Sequence, residues 1–206
     1  FIPLNDYKLT VVEAPSTFRT PFTISETGEI AAAVTGGTAY NGTAVRLESI
    51  VLDKETNTAV LGVSPTTFYD LLATNILYTA PSEALDGIIT EHIRDRAEAF
   101  RDSHVPAGAE ILEDKRFANA LAVSLIVEDI DGRLLLTERA ADLAIGAGLY
   151  GVSATRGVTV EDIDSAHPIL AAITSGSSVP FNKDNFTVQG IYFGGSKKQP
   201  ALFCKT

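Results

Sequence analysis

A hairpin signal in the second half of the chain constrains the fold most. The apolar, β-branched run ALAVSLIVED (120–129) is followed by the pair Asp131-Gly132 and then by RLLLTER (133–139). Asp-Gly readily takes the positive φ angles that a tight turn between antiparallel strands requires. The sequence therefore predicts a β-hairpin, and the apolar positions of this hairpin need a second layer to cover one face of the sheet.

Four further segments extend this pattern. The segment YGVSATRG (150–157) alternates as a third strand would, and HPILAAI (167–173) begins a helix, because Pro168 suits the first helical turn. Two apolar runs, FTVQGIYF (186–193) and PALFCK (200–205), flank a Gly-Gly turn and predict a second hairpin. We therefore predict an α+β fold in which the helix packs on a mixed β-sheet.

Shorter β-type runs occupy the first part of the chain. AVRLESIVLD (44–53) and TAVLGVS (58–64) flank a polar turn, and TTFYDLLATN (66–75) has the composition of a short helix. Residues 1–80 are therefore predicted to form a β-rich N-terminal region.

The clearest helix signal lies between these two parts, in SEALDGIITEHIRDRAEAFRDSH (82–104). Ser82 is a candidate N-cap, and VPAGAE (105–110) has the composition of a linker. Residues 81–116 are therefore predicted to be a helix and a linker that precede a domain over residues 117–206. The apolar side chains that share one face of the predicted helix are Leu85, Ile88, Ile89, Ile93, Ala97 and Phe100.

The charge of the chain argues against one class of partner. Sixteen Lys and Arg side chains stand against 26 Asp and Glu side chains, which gives a formal net charge of −10. Affinity for the phosphate backbone of nucleic acid comes mostly from Lys and Arg that displace counterions. We therefore expect no duplex nucleic acid partner.

The cysteine content and the hydropathy favour a cytoplasmic protein. The single cysteine, Cys204, cannot form an internal disulfide, and the chain does not open with a charged segment followed by an apolar core. No apolar run reaches the roughly 18 to 20 residues that cross a bilayer. We expect no membrane partner, and the sequence leaves the oligomeric state open.

The order of hairpin, strand, acidic loop, helix and strand pair resembles the Nudix hydrolase superfamily. The likeness covers residues 117–206 and is carried by LIVEDIDGRLLLTERA, GLYGVSATRGVTVED, HPILAAI and the strand pair after residue 185. In that family, glutamates of a loop-helix-loop motif bind Mg²⁺ or Mn²⁺, which neutralises a diphosphate and helps activate water. The resemblance implies a metal-dependent pyrophosphohydrolase that acts on a nucleoside diphosphate derivative, a small-molecule nucleotide partner.

Few residues match the acidic positions of that motif. Gly157 stands where the first glycine of the family would, and Glu161, Asp162 and Asp164 follow it in the loop. These acids are the candidate metal ligands. The alternative is that they are exposed to solvent and favour the positive end of the following helix.

The helical part of the motif departs from the family. After Ile173 the chain continues as TSGSS (174–178), where the family has an Arg-Glu pair and a Glu-Glu pair. No carboxylate follows before Asp184, and Gly, Ser and Thr favour the end of a helix over its extension.

Basic side chains supply the candidate substrate-binding residues. A guanidinium group matches phosphate oxygens with a fork of donors, so Arg156 and Arg139 are the candidates, and Arg156 lies closer to the motif. Arg133, beside the hairpin turn, is expected to face solvent. His167 is either a base or a residue that precedes the helix.

Two functions remain open from the sequence. The first is the pyrophosphohydrolase with Mg²⁺ or Mn²⁺ as cofactor. The second is a non-catalytic nucleotide-binding or regulatory module on the same scaffold. A glutamate cluster after Ile173 would favour the first, and the segment TSGSS favours the second.

Overall fold

The computed structural model describes residues 1–37, 39–141, 148–194 and 198–206, which form an α+β fold. The α-helices are α1 (Ile24–Thr35), α2 (Phe68–Leu71), α3 (Leu77–Thr79), α4 (Glu91–Arg101), α5 (Val160–Ile163) and α6 (Pro168–Gly176). The strands are β1 (Ile2–Pro3), β2 (Lys8–Glu13), β3 (Thr43–Asp53), β4 (Thr58–Thr67), β5 (Ala122–Glu128), β6 (Leu134–Leu135), β7 (Thr137–Glu138), β8 (Tyr150–Gly151), β9 (Ala154–Gly157), β10 (Thr187–Phe193) and β11 (Pro200–Lys205). A π-helical segment (Leu72–Ile76) joins α2 to α3, and 3₁₀ turns span Ser82–Gly87, Gly108–Glu113 and Lys183–Asn185.

Six of the described strands form a mixed sheet. The order is β1-β10-β11-β5-β6, and β9 also pairs with β5. The pair β11 and β5 is parallel, whereas the other neighbours are antiparallel. The second hairpin predicted from the sequence is therefore confirmed as β10 and β11.

A smaller sheet is formed by the first part of the chain, in the order β2-β4-β3. Strands β3 and β4 form an antiparallel hairpin, and β2 lies parallel to β4 at the edge. The strands predicted over residues 44–53 and 58–64 are confirmed, and the helix predicted over 66–75 is present as α2 and the π-helical segment.

The Asp-Gly hairpin is confirmed, but its second arm is short. Gly132 has φ +79°, and the Gly132 N–H donates to the Asp129 carbonyl across the turn, at 3.0 Å. Strand β6 pairs with β5 at Val127 and Glu128 and then ends. Two residues later β7 pairs with β8 in a separate two-stranded ribbon.

Ser153 explains why the arm ends there. Its buried hydroxyl donates to the Leu135 carbonyl at 2.6 Å and accepts from the Val127 N–H at 2.8 Å. The Ser153 hydroxyl therefore replaces a backbone group that a continuous strand pair would use for these two hydrogen bonds. The predicted third strand (150–157) is therefore divided into β8 and β9.

The helix predicted from Ser82 is wrong in its first half. Residues 82–87 form a 3₁₀ turn, Ile88 is extended, and α4 begins at Glu91, while Ile89 is 89% exposed. The helical spacing placed Ile89 on the buried face. Gly87 favours this break, because it costs helix stability and because a Cβ there would lie only 3.2 Å from Ala33 of α1.

Helix α1 was missed by the sequence analysis. It begins with a capping box in which the Thr23 Oγ1 accepts from the Glu26 N–H and the Glu26 carboxylate accepts from the Thr23 N–H. The sequence Thr-Ile-Ser-Glu carries this signal. The N-terminal region therefore contains a helix as well as strands.

One hydrophobic core joins the two main sheets and α6. Strands β3 and β4 contribute Val45, Leu47 and Leu61, and these pack in the same cluster as residues of the segment 117–206. The predicted packing of α6 on the hairpin sheet is confirmed. The residues that the later segment adds include Leu121, Val123, Leu125, Ile169, Ile173 and Leu202.

A fully buried arginine fixes the position of the smaller sheet. The Arg46 Nε donates to the Phe117 carbonyl at 3.1 Å, and its Nη2 donates to the Leu112 carbonyl at 3.2 Å. Its Nη1 forms an ion pair with Glu48, which also accepts hydrogen bonds from Thr17 and Ser64. Burial lowers the pKa of Arg46, and the charge of Glu48 opposes that change.

None of the helices formed by the described residues is both long enough and apolar enough to cross a membrane. The cytoplasmic location stays a prediction.

We predict that Arg46→Leu lowers the free energy of unfolding by about 3–5 kcal/mol, because the Glu48 carboxylate would stay buried without its cation. In the double variant Arg46→Leu/Glu48→Leu both charges are absent. Its loss should be at least about 1 kcal/mol smaller than the sum of the two single losses, since contacting residues are not additive. Urea unfolding followed by circular dichroism measures all three variants, and additive losses would contradict the prediction.

Candidate functional site

The loop after β9 folds into a short helix that its own acids stabilise. Asp162 is buried, and its Oδ2 accepts from the N–H and the hydroxyl of Thr159, at 2.9 and 3.0 Å. Thr159 immediately precedes α5, so Asp162 ties the beginning of this helix to its first turn. This carboxylate is already committed to donors within the chain.

The other two candidate metal ligands have different surroundings. The pKa of Glu161 is held below its ordinary value by a hydrogen bond from its own backbone N–H and by one from the Thr43 hydroxyl at 2.8 Å. Asp164 follows the end of α5 and is exposed. Across the described residues, the structure brings together no group of three or more His, Cys, Asp or Glu side chains that could hold a metal ion.

Arg156 connects β9 to the end of α6. Its Nη1 donates to the Ala172 carbonyl at 2.9 Å and to the Ser175 hydroxyl, and it lies 3.6 Å from Asp162 Oδ1. Cationic groups stabilise the negative end of a helix. Arg156 lies beside the predicted motif. Its guanidinium stabilises the end of α6 through these contacts within the chain.

The remaining basic candidates lie in the two turns of the hairpin region. The Arg139 N–H donates to the Leu149 carbonyl at 3.0 Å in the ribbon of β7 and β8. Arg133 forms ion pairs with Asp129 and Asp131, at 2.8 and 2.6 Å, and its side chain is 75% exposed. The expectation that Arg133 faces solvent is confirmed.

Helix α6 ends soon after Ile173, as its composition indicates. The Thr174 hydroxyl donates to the Leu170 carbonyl at 2.9 Å, and the Ser175 hydroxyl donates to the Ala171 carbonyl at 2.8 Å. Both hydroxyls are thus bonded to carbonyls one turn earlier within α6, which ends at Gly176. Hydroxyls thus occupy the helix positions where the Nudix motif has carboxylates.

A groove lies at the other end of α6, between the edge strand β2 and the beginning of β10. Its volume is about 700 Å³. The apolar part of its lining is Leu9, Val11, Ile163, Ala166, Pro168, Ile169, Leu170, Phe186 and Val188. The polar part is Lys8, Thr10, Ser165, His167, Lys183 and Asp184. A mainly apolar cleft with a few polar groups is the common form of a small-molecule site.

The charged side chains of this groove form no ion pair with the residues that the structure describes. Lys8 and Lys183 are exposed, and neither has an ion pair or a side-chain hydrogen bond to any described residue. His167 is also exposed and occupies the N-cap position of α6 without a side-chain capping bond. Of its two sequence interpretations, the structure therefore favours a residue that precedes the helix.

Sequence reasoning missed most of this groove. Lys8 is an isolated cation in an edge strand, and Lys183 and Phe186 lie in and after a 3₁₀ turn that no periodic pattern marks. The groove forms because β2 joins the smaller sheet from a distant part of the chain. The sequence signal that could have found β2 is the alternation of Leu9 and Val11 with polar residues. This alternation indicates a strand with one buried face.

The surroundings of Cys204 do not favour a reactive thiol. It is buried in β11, and burial raises the pKa of its thiol to about 12. A thiol with a raised pKa is a poor nucleophile and a poor metal ligand. A structural role in the core is the interpretation that its position favours.

No protein-family model matches this chain, and no curated protein sequence matches it at a significant level.

We predict different effects for two acids of the α5 segment. Asp162→Ala removes an acceptor that serves both the N–H and the hydroxyl of Thr159, so it should lower the free energy of unfolding by about 1 kcal/mol. Asp164→Ala is the matched control, and because that side chain is exposed its effect should stay within about 0.5 kcal/mol. Urea unfolding measures both. Equal, negligible effects together with a loss of Mn²⁺ affinity in either variant would show that these acids serve a metal instead.

Proposed function

We propose that this chain is a Nudix-like module that binds a small nucleotide derivative without hydrolysing it. The observation that carries the proposal is the contrast between the two ends of α6. At the end that follows Ile173, hydroxyls and Arg156 close the helix with internal hydrogen bonds. At the beginning of α6, a groove of about 700 Å³ is open to a ligand.

The arrangement of the chain supports the Nudix-like part of the proposal. The resemblance rests on a hairpin, a third strand, an acidic segment, a helix and a strand pair in this order. The described residues contain β5 and β6, then β9, α5, α6 and the pair β10 and β11, in the same order. This agreement is in the order of the helices and strands. A fold does not by itself define a function.

The acids of the α5 segment argue against the hydrolase. A hard divalent cation between protein and diphosphate needs several oxygen ligands, with negative charge crowded at one place. Asp162 is buried and bonded to Thr159, Glu161 accepts from Thr43, and Asp164 is exposed at the end of α5. The surroundings of these three residues do not fit Mg²⁺ or Mn²⁺ in the way the resemblance implies.

A regulatory or sensing role follows from binding without turnover. A ligand that binds only the folded chain stabilises it in proportion to the logarithm of the ligand concentration. Such a module reports the level of its ligand and leaves it unchanged. The net charge of −10 opposes the binding of anions in general, whereas the lining of the groove carries two lysines and one acid.

We predict no Mg²⁺-dependent or Mn²⁺-dependent hydrolysis of ADP-ribose or NADH above background. Activation by a metal contributes several kcal/mol to the transition state, and each 1.4 kcal/mol or so is about tenfold in rate. The absence of a carboxylate cluster should therefore lower the rate by roughly several orders of magnitude. Release of mononucleotide is measured with each metal, and with a chelator as control.

The binding half of the proposal is measured with the same compounds by isothermal titration calorimetry. At least one of them should bind and be recovered intact. Robust metal-dependent turnover that disappears in Glu161→Ala/Asp162→Ala/Asp164→Ala would replace the proposal with the hydrolase. Absence of any binding across the panel would contradict the binding module.

A further inference from the structure

The groove at the beginning of α6 has an apolar floor that the core leaves partly open. Leu9 and Val11 of β2, Leu170 of α6, and Phe186 are all half-buried, although each packs against the main core. In a closed core these side chains would be covered. The floor is therefore apolar surface that a ligand can bury.

An aromatic side chain gives this floor a flat and fixed part. The Phe186 ring lies with its centroid 6.3 Å from that of Phe181, and the two rings are tilted by 40°. This neighbour restricts the Phe186 ring, so the ring needs little further ordering when a ligand packs against it. A planar group, such as a nucleobase, suits this surface.

The rim of the groove carries a different chemistry. Lys8 approaches it from β2, Lys183 from the 3₁₀ turn, and Asp184 is the single acid of the lining. The ammonium groups of both lysines are without partners among the residues that the structure describes. Charge complementarity favours an anionic group at this rim, with Asp184 reducing the attraction.

Floor and rim together select one class of ligand. A free inorganic anion would use the lysines and leave the apolar floor exposed to water. A neutral apolar molecule would cover the floor and would gain nothing from the two ammonium groups. A molecule with a planar, weakly polar body and one anionic end uses both.

We propose that this groove binds a nucleoside monophosphate unit, with the base on the floor beside Phe186 and Leu170 and the phosphate between Lys8 and Lys183. The inference rests on the proposed function for the choice of a nucleotide. The division of the groove into an apolar floor and a cationic rim rests on the lining itself. This assigns recognition to residues outside the Nudix-like motif.

The experiment compares four probes by calorimetry: AMP, adenosine, inorganic phosphate, and the aromatic sulfonate 8-anilinonaphthalene-1-sulfonate. AMP should bind more tightly than adenosine and inorganic phosphate, and added salt should weaken AMP binding. The sulfonate has an aromatic body and an anionic end without being a nucleotide. Its fluorescence rises in an apolar environment, which gives a second measurement of binding to the floor.

Four variants test the assignment. Lys8→Ala/Lys183→Ala should weaken AMP binding by roughly tenfold or more and leave adenosine binding unchanged, since two charged contacts are lost. Asp184→Asn should strengthen AMP binding by about two- to fivefold, because a like charge is removed. Phe186→Leu should weaken AMP and adenosine alike. Lys54→Ala, an exposed lysine in the turn between β3 and β4, is the matched control and should change nothing.

The outcomes separate this inference from the proposed function. If AMP or ADP-ribose binds and the double lysine variant binds it equally well, the groove is not the site and the binding module remains. If no nucleotide binds, but the sulfonate binds with an affinity that depends on both lysines, the nucleotide assignment fails and the chemistry of the groove stands. Binding of inorganic phosphate as tight as that of AMP would overturn the role of the floor.

Discussion

The buried guanidinium of Arg46 is the interaction on which the arrangement of the two sheets depends. A charge removed from water is costly unless its donors are satisfied, and here carbonyls of Leu112 and Phe117 and the carboxylate of Glu48 accept them. Those carbonyls belong to the segment that leads into β5. Arg46 therefore links the smaller sheet to the larger one, and it does so with directional bonds. The apolar core beside it fills the space between the sheets. Backbone bonds add to the link, from the Leu47 N–H to the Asn119 carbonyl and from the Leu121 N–H to the Val45 carbonyl.

Elements with a local signal could be predicted from the sequence. The Asp131-Gly132 turn, the β-type runs of β3 and β4 and the Pro168 helix start each depend on a few adjacent residues, and all are confirmed. Helix α1 was missed although its capping box is a local signal, whereas two other failures depend on distant contacts. The helix expected from Ser82 is interrupted where Gly87 packs against Ala33 of α1, and the third strand is divided where Ser153 bonds to two neighbouring strands. No local pattern records either contact.

The candidate site shows the same limit more strongly. The Nudix-like motif predicts Glu161, Asp162 and Arg156 as site residues. In the structure, the hydrogen bonds of these side chains hold α5 and α6 in place. Carboxylates near the start of a helix serve its stability as readily as they serve a metal, and spacing alone does not separate the two. The groove instead combines Lys8 with Lys183, which are far apart in sequence. The pairing of β2 with β4 places Lys8, and the 3₁₀ turn before β10 places Lys183.

Strands β6 and β9 occupy consecutive stretches of a single edge of β5, at Val127 and Glu128 for β6 and at Ala122 to Leu125 for β9. Of the residues between these two strands, Ser153 is buried and bonds to both β5 and β6. A change of length on the β6 side of Ser153 would leave the strand pairing of β5 as it is. This edge of β5 is therefore a position where a segment could be inserted between two strands. The strands that pair with β5 would stay the same.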